Sequence, residues 1–372
     1  MQLTKQQIDF CMECGVCTGS CPISYERAGF SPRQMIKRTL VQPDPEILHS
    51  NDLWACLSCS RCSDRCPVGI DFPEFIRSYR QKARGADNPP RISHHGVFHT
   101  ISSLQAGGIH QKRTAWTEGV GTIREKGDYF YFVGCAPYHT PVFRYLDLDM
   151  ITIPKAILTL LNRVGIEPVV SNDERCCGHD AFWSGNEELF ATLAKKNVET
   201  IVKSGAKTVI FGCPEGYSTF MENYPDVVGE LPFEIKHIAE FLDEKLPASD
   251  LAFSSEQDNT VTFHDPCRLG RRQGMYEQPR TLIGMVANGQ FKEMENIREN
   301  AVCCGTTAWM ECSSCSKTMQ VKRLQEAKQA GADTLLTACP KCQIHLTCAK
   351  SGMDIDIEIK DLYNYLLENL AS

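Results

Sequence analysis

Twenty of the 372 residues are cysteine, and eight of these fall into two runs of one spacing. Cys11, Cys14, Cys17 and Cys21 precede Pro22; Cys56, Cys59, Cys62 and Cys66 precede Pro67. Each run reads C-x2-C-x2-C-x3-C-P. That spacing wraps three thiolates of one loop around three irons of a cubane [4Fe-4S] cluster, and sends the fourth, turned towards the proline, to the other cluster. It predicts one cubane held by Cys11, Cys14, Cys17 and Cys66, and another held by Cys56, Cys59, Cys62 and Cys21. A pair of four-cysteine zinc sites is the alternative, but zinc sites rarely use a three-plus-one run closed by proline twice over. Neither run leaves an open coordination position, so the pair makes an electron wire.

Nine further cysteines form two matching groups. Cys135, Cys176-Cys177-Gly178 and Cys213-Pro214-Glu215-Gly216 make the first; Cys267, Cys303-Cys304-Gly305 and Cys339-Pro340-Lys341-Cys342 make the second. Flanking segments repeat with them: YFYFVGCAPY with TVTFHDPCRLG, and FEIKHIAEFL with IEIKDLYNYL, so a domain is duplicated. Adjacent cysteines in an extended strand point to opposite faces, so Cys-Cys-Gly predicts a tight turn whose glycine lets the backbone approach a bulky inorganic body. Five thiolates are more than one cubane can use. Gly216 stands where the second copy has Cys342, which leaves three outcomes for the first site. It holds a cluster completed by water, a substrate thiolate or Glu215; it holds a smaller cluster or zinc; or it is empty.

The scaffold around these cysteines is also legible. Each copy alternates strand, helix, Cys-Cys-Gly, helix and strand. In the first, Leu189, Leu193, Val198, Ile201 and Val202 make a helical stripe, Gly205 ends it, and TVIFGC follows as a buried strand; Gly331 and TLLTAC repeat the arrangement. Such alternation predicts an α/β, Rossmann-like parallel sheet in each copy, with cysteines at the carboxyl ends of strands. The N-terminal module reads helical: Ser31-Pro32 opens one helix and FPEFIRSYRQKA forms another. The expected division is 1–85 for a helical two-cluster module, 86–127 for a connector, 128–250 for the first repeat and 258–372 for the second. His94, His95, His99 and His110 of the connector read as solvated or hydrogen-bonded rather than as ligands.

Composition narrows the function. A net charge of -7 with no Lys/Arg block argues against a nucleic-acid partner. No apolar run reaches the roughly 18 residues of a membrane span, and the N-terminus lacks a secretory pattern, so a cytoplasmic location is expected, with any membrane contact made through a partner. Clustered cysteines in a long chain without a signal point to metal ligation rather than a disulfide framework.

The cysteine order resembles the D subunits of the heterodisulfide reductase family, in which an α-helical two-cubane ferredoxin domain is followed by two cysteine-rich "CCG" domains. The resemblance implies that Cys267, Cys303, Cys304, Cys339 and Cys342 bind a noncubane [4Fe-4S] cluster that is the reaction site. Cys135, Cys176, Cys177 and Cys213 are then the matching metal positions of a first site incomplete at Gly216. It implies an oxidoreductase subunit that reduces or forms a disulfide such as CoM-S-S-CoB, partnered by a flavoprotein, a membrane cytochrome b, or both. Relay subunits of glycerol-3-phosphate, glycolate and lactate dehydrogenases share this layout and link a flavin chain to the quinone pool, which is the alternative. No G-x-G-x-x-G follows a predicted strand, so a flavin or nicotinamide must come from another chain.

Several residues remain outside this scheme. Cys312, Cys315 and Cys348 are expected to be buried free thiols. Arg268, Arg271 and Arg272 either face an anionic cluster or disulfide, or form a surface patch. His179 and His264 either supply protons to released thiolates or hydrogen-bond the backbone.

Overall fold

The computed structural model describes residues 8–40, 45–254 and 259–371. The described residues before Gly85 form helices and turns only. Helix α1 (Pro32–Leu40) starts at Ser31, whose Oγ accepts the Gln34 N–H at 3.2 Å, and buries Met35 and Ile36. Helix α2 (Phe72–Gly85) is capped by Asp71, which accepts the Glu74 N–H at 3.3 Å. Its buried positions Phe72, Phe75, Ile76, Arg80 and Ala83 recur every three or four residues, the stripe of a helix with one face in the core. The connector contributes helix α3 (Val97–Ala106).

Two parallel three-stranded sheets follow, identical in topology as the duplicated sequence requires. Strands β1 (Tyr129–Phe132), β2 (Thr208–Phe211) and β3 (Glu234–His237) pair in that order, Tyr129 against Thr208 and Thr208 against Glu234. Strands β4 (Val261–His264), β5 (Thr334–Thr337) and β6 (Glu358–Asp361) repeat it, Val261 against Thr334 and Thr334 against Glu358. Parallel neighbours need crossovers, and helices supply them. In the first half the crossovers are α4 (Thr152–Arg163), α5 (Glu187–Ser204) and α6 (Pro214–Glu222), and α7 (Ile238–Lys245) follows β3. In the second they are α8 (Glu277–Val286), α9 (Ser314–Gln329) and α10 (Pro340–Lys350), and α11 (Leu362–Glu368) follows β6. The halves pack reciprocally, α4 on α11 and α7 on α8. One apolar core runs from the N-terminal helices through both sheets, and a smaller one under β5 holds Met294, Leu324, Leu335 and Leu346.

The α5 stripe differs from the sequence expectation. Val202 is exposed, and the buried face is Phe190, Leu193, Ala194, Asn197, Ile201 and Ser204. Asn197 belongs on that face because it works for the backbone: its Oδ1 accepts the Arg175 N–H at 2.8 Å and its Nδ2 donates to the Cys176 carbonyl at 2.9 Å. Among the described residues no helix is long and apolar enough to cross a membrane.

The N-terminal helices dock on the first repeat through α2. Arg80 is fully buried and donates to the carbonyls of Leu53 at 2.8 Å, Cys56 at 2.6 Å and Trp183 at 2.9 Å. Beside it Gly185 has φ +74°, and a Cβ there would lie 2.5 Å from the Gln81 nitrogen and 2.8 Å from the Arg80 carbonyl carbon. Left-handed strain and overpacking add, so Gly185→Ala is expected to cost about 2–4 kcal/mol in urea unfolding. An unchanged midpoint would mean that this close approach is not part of the fold.

Candidate metal centres and active site

Loop conformation gathers the N-terminal thiols. Gly15 (φ +81°) lies between Cys14 and Cys17, while Ser58 (φ +49°) and Ser60 (φ +62°) alternate with Cys56, Cys59 and Cys62. These left-handed residues curl each run so that its side chains converge. Cys11, Cys14, Cys17, Cys62 and Cys66 line one cavity. Cys21, Cys56, Cys59 and Cys62 line another. Burial, then the neighbouring Cys59 and Cys56, pushes the Cys21 thiol up to about 12. Burial and three neighbouring cysteines push Cys62 up as well. Such crowded thiols ionise readily only against a polyvalent cation, and the donor set is sulfur alone, which fits an iron–sulfur cluster at each cavity.

The other groups sit at the strand ends. Cys135 and Cys213 follow β1 and β2, and Cys267 and Cys339 follow β4 and β5; Cys213 and Cys339 occupy the N-caps of α6 and α10. Gly178 (φ +82°) and Gly305 (φ +89°) make the turns after the paired cysteines. The space a Cβ would take is closed by the Phe190 ring at 2.8 Å and by the Ser316 carbonyl oxygen at 2.8 Å. These glycines therefore admit the following helix, in addition to any inorganic body.

In the second half the five thiols form one continuous chain of contacts: Cys267 with Cys303, Cys303 with Cys304, Cys304 with Cys342, and Cys342 with Cys339. Hydrogen bonds from Cys303 and Cys342 bring Cys304 down to about 6. In the first half Cys135, Cys176 and Cys177 are in contact, and Cys213 lines the same cavity. Cys213 also hydrogen-bonds across the repeats to Cys339, which joins the two sites. At Gly216 a Cβ would meet the Phe211 ring at 3.2 Å and Cys177 Cβ at 3.8 Å. The repeat equivalent of Phe211 is Thr337, so a ring has taken part of the space that a fifth thiol would need.

Charge is concentrated at this junction. Lys341, between Cys339 and Cys342, bonds Asp180 at 2.5 Å and Glu215 at 2.6 Å, and its ammonium lies 5.0 Å from the Trp309 ring centre. Burial opposes the Lys341 charge, but the two carboxylates hold the ammonium well above its usual range. His179 Nδ1 faces Asp180 at 3.1 Å and Glu215 at 3.5 Å rather than the backbone, and its Nε2 has no partner among the described residues. His264 Nδ1 accepts from Arg323 Nε at 3.1 Å. It offers a nitrogen that lies within 4.8 Å of the Cys304 and Cys342 sulfurs. Burial, then Arg323, takes His264 down to about 3, so it is a neutral imidazole. His139 and His345 are also neutral, taken by burial to about 3 and about 4. His345 Nδ1 lies 2.7 Å from Thr306 Oγ1 and 3.5 Å from Cys304 Sγ.

Sequence reading missed Asp180, Lys341, His139 and His345. A signal existed for Lys341, since opposite charges occupy its position and that of Glu215, its repeat partner. The arginines are not a surface patch: Arg268 is 3% exposed, and Arg271 and Arg272 bond the N-terminal loop at Cys59 O (2.7 Å) and Ser60 Oγ (3.3 Å). The expectation of three buried thiols fails too. Cys312 is exposed and Cys315 and Cys348 are half-buried, because they lie around the outer start of α9 and near the end of α10. The connector also builds the first site. Arg113 pairs in a buried bond with Glu174, whose carboxylate accepts the N–H groups of Val133 (3.0 Å) and Gly134 (2.8 Å) before Cys135. Gln105 of α3 accepts the Cys176 N–H. His94 packs edge-on against Phe143 and Trp309, and His99 bonds the Ala308 carbonyl at 3.0 Å.

This architecture matches two described families: the cysteine-rich domain, over residues 129–220 and 261–347, and the 4Fe-4S dicluster domain, over residues 7–70. The D subunit of the dihydromethanophenazine:CoB–CoM heterodisulfide reductase of Methanosarcina acetivorans is 30% identical, over 96% of this chain and 92% of that protein. The chain belongs to the family of heterodisulfide reductase D subunits, which are iron–sulfur proteins. The EtfAB:quinone oxidoreductase of Syntrophomonas wolfei is 27% identical over 80% of this chain, but the match spans only 43% of that protein. Among solved structures, a hypothetical protein from Helicobacter pylori shares the fold with a TM-score of 0.55 at 12% identity, over 91% of this chain and 66% of that one.

Two outcomes follow from the buried charges. Arg113→Met strands the Glu174 carboxylate and is expected to cost about 3–5 kcal/mol in thermal unfolding, with loss of order at Cys135. Asp361, at the end of β6, caps α11 by accepting the Tyr363 N–H at 2.9 Å, and burial pushes its carboxyl up to about 8. A raised carboxyl favours the protonated native state. Its contribution is therefore complete below about pH 4 and lost as pH rises through 8, on the order of a few kcal/mol. Asp361→Asn keeps the cap and should remove that slope between pH 5 and 8 in denaturant titrations. A slope equal to that of the native protein would assign it elsewhere.

Proposed function

We propose that the chain is the iron–sulfur subunit of an oxidoreductase complex that works on a thiol/disulfide couple at the second repeat. Residues 1–85 would form the two-cubane module, 128–250 and 258–372 the two repeats, and 86–127 the connector. Cys11, Cys14, Cys17 and Cys66 would hold one cubane and Cys21, Cys56, Cys59 and Cys62 the other. Cys267, Cys303, Cys304, Cys339 and Cys342 would hold a noncubane cluster. When bound, these clusters supply one-electron steps, and disulfide cleavage consumes two electrons and two protons to give two thiols. The observation that carries the reading is the convergence of five thiols from three loops on one buried space, joined through Cys213 to the first site.

The surrounding residues suit that chemistry. Lys341, tethered by Asp180 and Glu215, keeps a positive charge where an anionic sulfur would arrive. His264, oriented by Arg323, presents a neutral nitrogen towards Cys304 and Cys342 and fixes their surroundings. Phe132, Val133 and Ala136 form the apolar wall of the first cavity, opposite its charged residues Asp180, Glu215 and Lys341. A flavoprotein, a membrane cytochrome b, or both would deliver electrons, placing the chain on the inner face of a membrane only through a partner. CoM-S-S-CoB is the substrate that the Methanosarcina relative suggests.

The second reading is a relay between a flavin dehydrogenase and the quinone pool. The Phe211 ring beside Gly216 favours it, since only one repeat then offers a complete thiol set, and so does the likeness to a quinone oxidoreductase. Iron analysis of the anaerobically purified chain separates site contents: two cubanes and one further four-iron cluster give about 12 irons, and an occupied first site about 16. Phe211→Thr with Gly216→Cys should raise the lower figure by about four. A paramagnetic signal that responds to added thiol and disappears in Cys342→Ser supports disulfide chemistry. No thiol response, with rapid reoxidation by a quinone-linked partner, would establish the relay instead.

A further inference from the structure

Resting on the cluster assignments just given, we propose that Arg268 is a positioning residue that sets the reduction potentials of the two clusters on either side of it, those of Cys21/Cys56/Cys59/Cys62 and of Cys267 with its four partners. Where the N-terminal module and both repeats meet, its guanidinium is buried with neither terminal nitrogen hydrogen-bonded among the described residues.

The side chain follows Cys267 directly and is 3% exposed. Its guanidinium lies 4.2 Å from the ring centre of Trp183, which the first repeat supplies. Both terminal nitrogens, Nη1 and Nη2, are buried and have no hydrogen-bond partner among the described residues. An arginine does not deprotonate in a protein, so this is a permanent cation taken out of water, which is strongly unfavourable unless an anion faces it. The stack on Trp183 returns only part of that cost.

Neighbouring arginines do not share the condition to the same degree. Arg80 is taken up by three carbonyls. Arg272 is held by Glu222 and by Asp71, the latter at 3.0 Å. Arg271 donates to Cys59 O at 2.7 Å and Ala301 O at 2.6 Å, pinning the Cys59 loop against the segment that leads to Cys303. That clamp holds the Cys59 loop against the Cys303 segment. Arg268 follows Cys267 directly, and the Trp183 on which it stacks gives its carbonyl to Arg80, which also bonds the Cys56 carbonyl, so the guanidinium stands between the two thiol sets. An electron added to a cluster increases its negative charge, so a fixed cation in a low-dielectric site stabilises the reduced form. Arg268 thus raises the potential of both facing clusters.

The test uses the full chain with its clusters, titrated electrochemically while paramagnetic signals are recorded. Arg268→Met keeps the apolar stem and removes the charge; Arg268→Lys keeps the charge and removes the planar fork. In Arg268→Met the reduced-to-oxidised ratio of the two facing clusters, at a fixed potential, should fall tenfold or more, about 59 mV for a one-electron couple. The Cys11/Cys14/Cys17/Cys66 signal is the internal control and should not move. Arg268→Lys should stay within threefold of the native ratio. Unchanged ratios in Arg268→Met, equal shifts at all three signals, or a Lys variant that shifts as far as Met would overturn the inference. Should Met lose iron, Arg268→Gln carries the comparison, and iron loss in both neutral variants shows a packing role and overturns it. A native chain lacking the C-terminal signal overturns the cluster reading and this inference together; three native signals with no shift in the neutral variant overturn this inference alone.

Discussion

Buried thiols packed against one another cannot all ionise at once, and most of this structure is organised around that constraint. Seventeen of the cysteines converge at the ends of strands or inside curled loops; burial raises Cys21, Cys56 and Cys62, while in the repeats hydrogen bonds between thiols lower Cys176, Cys304 and Cys339 and raise their neighbours. A free thiol gains nothing from such a place. A thiolate on a polyvalent metal does, because the cation replaces the lost water and relieves the repulsion between sulfurs. The protein adds its own positive charge in the same region, through Arg80, Arg268, Arg271 and Lys341.

Duplication supplied two copies of the cradle, and the copies have diverged in a coordinated way. Where the second has Thr337 and Cys342, the first has Phe211 and Gly216, and the ring lies where a side chain at Gly216 would begin. Where the second has Lys341, the first has Glu215, and the two now form an ion pair across the repeat interface. Divergence of this kind turns two like sites into one unequal pair with a shared wall at Cys213 and Cys339.

The N-terminal module is fastened to both copies by charged residues rather than by an apolar face alone. Arg80 reaches Trp183 of the first repeat, and Arg271 reaches Cys59 from the second. Each of these bonds involves a loop that carries a cysteine or lies close to one, so the docking that builds the fold also fixes the spacing between thiol sets. The connector extends the principle, since Arg113 and Gln105 brace the loops of Cys135 and Cys176.

Spacing and periodicity along the chain were enough to define the cysteine groups, the duplication, the parallel α/β character of each copy and the helical character of the first module. They carry no information on which side chains from distant segments meet. Lys341 with Asp180, Cys213 with Cys339, Phe211 beside Gly216 and the bare guanidinium of Arg268 against Trp183 are contacts between separate elements. The α5 stripe departs from its periodic pattern for a related reason: Asn197 is buried to satisfy a backbone that only the folded chain brings to it. Cys312 is at the surface and Cys348 is half-buried because of where α9 begins and α10 ends, which no local pattern reports. Local pattern dictates what each segment is; burial and electrostatics between segments decide what the site contains, since both depend on distances that exist only after folding.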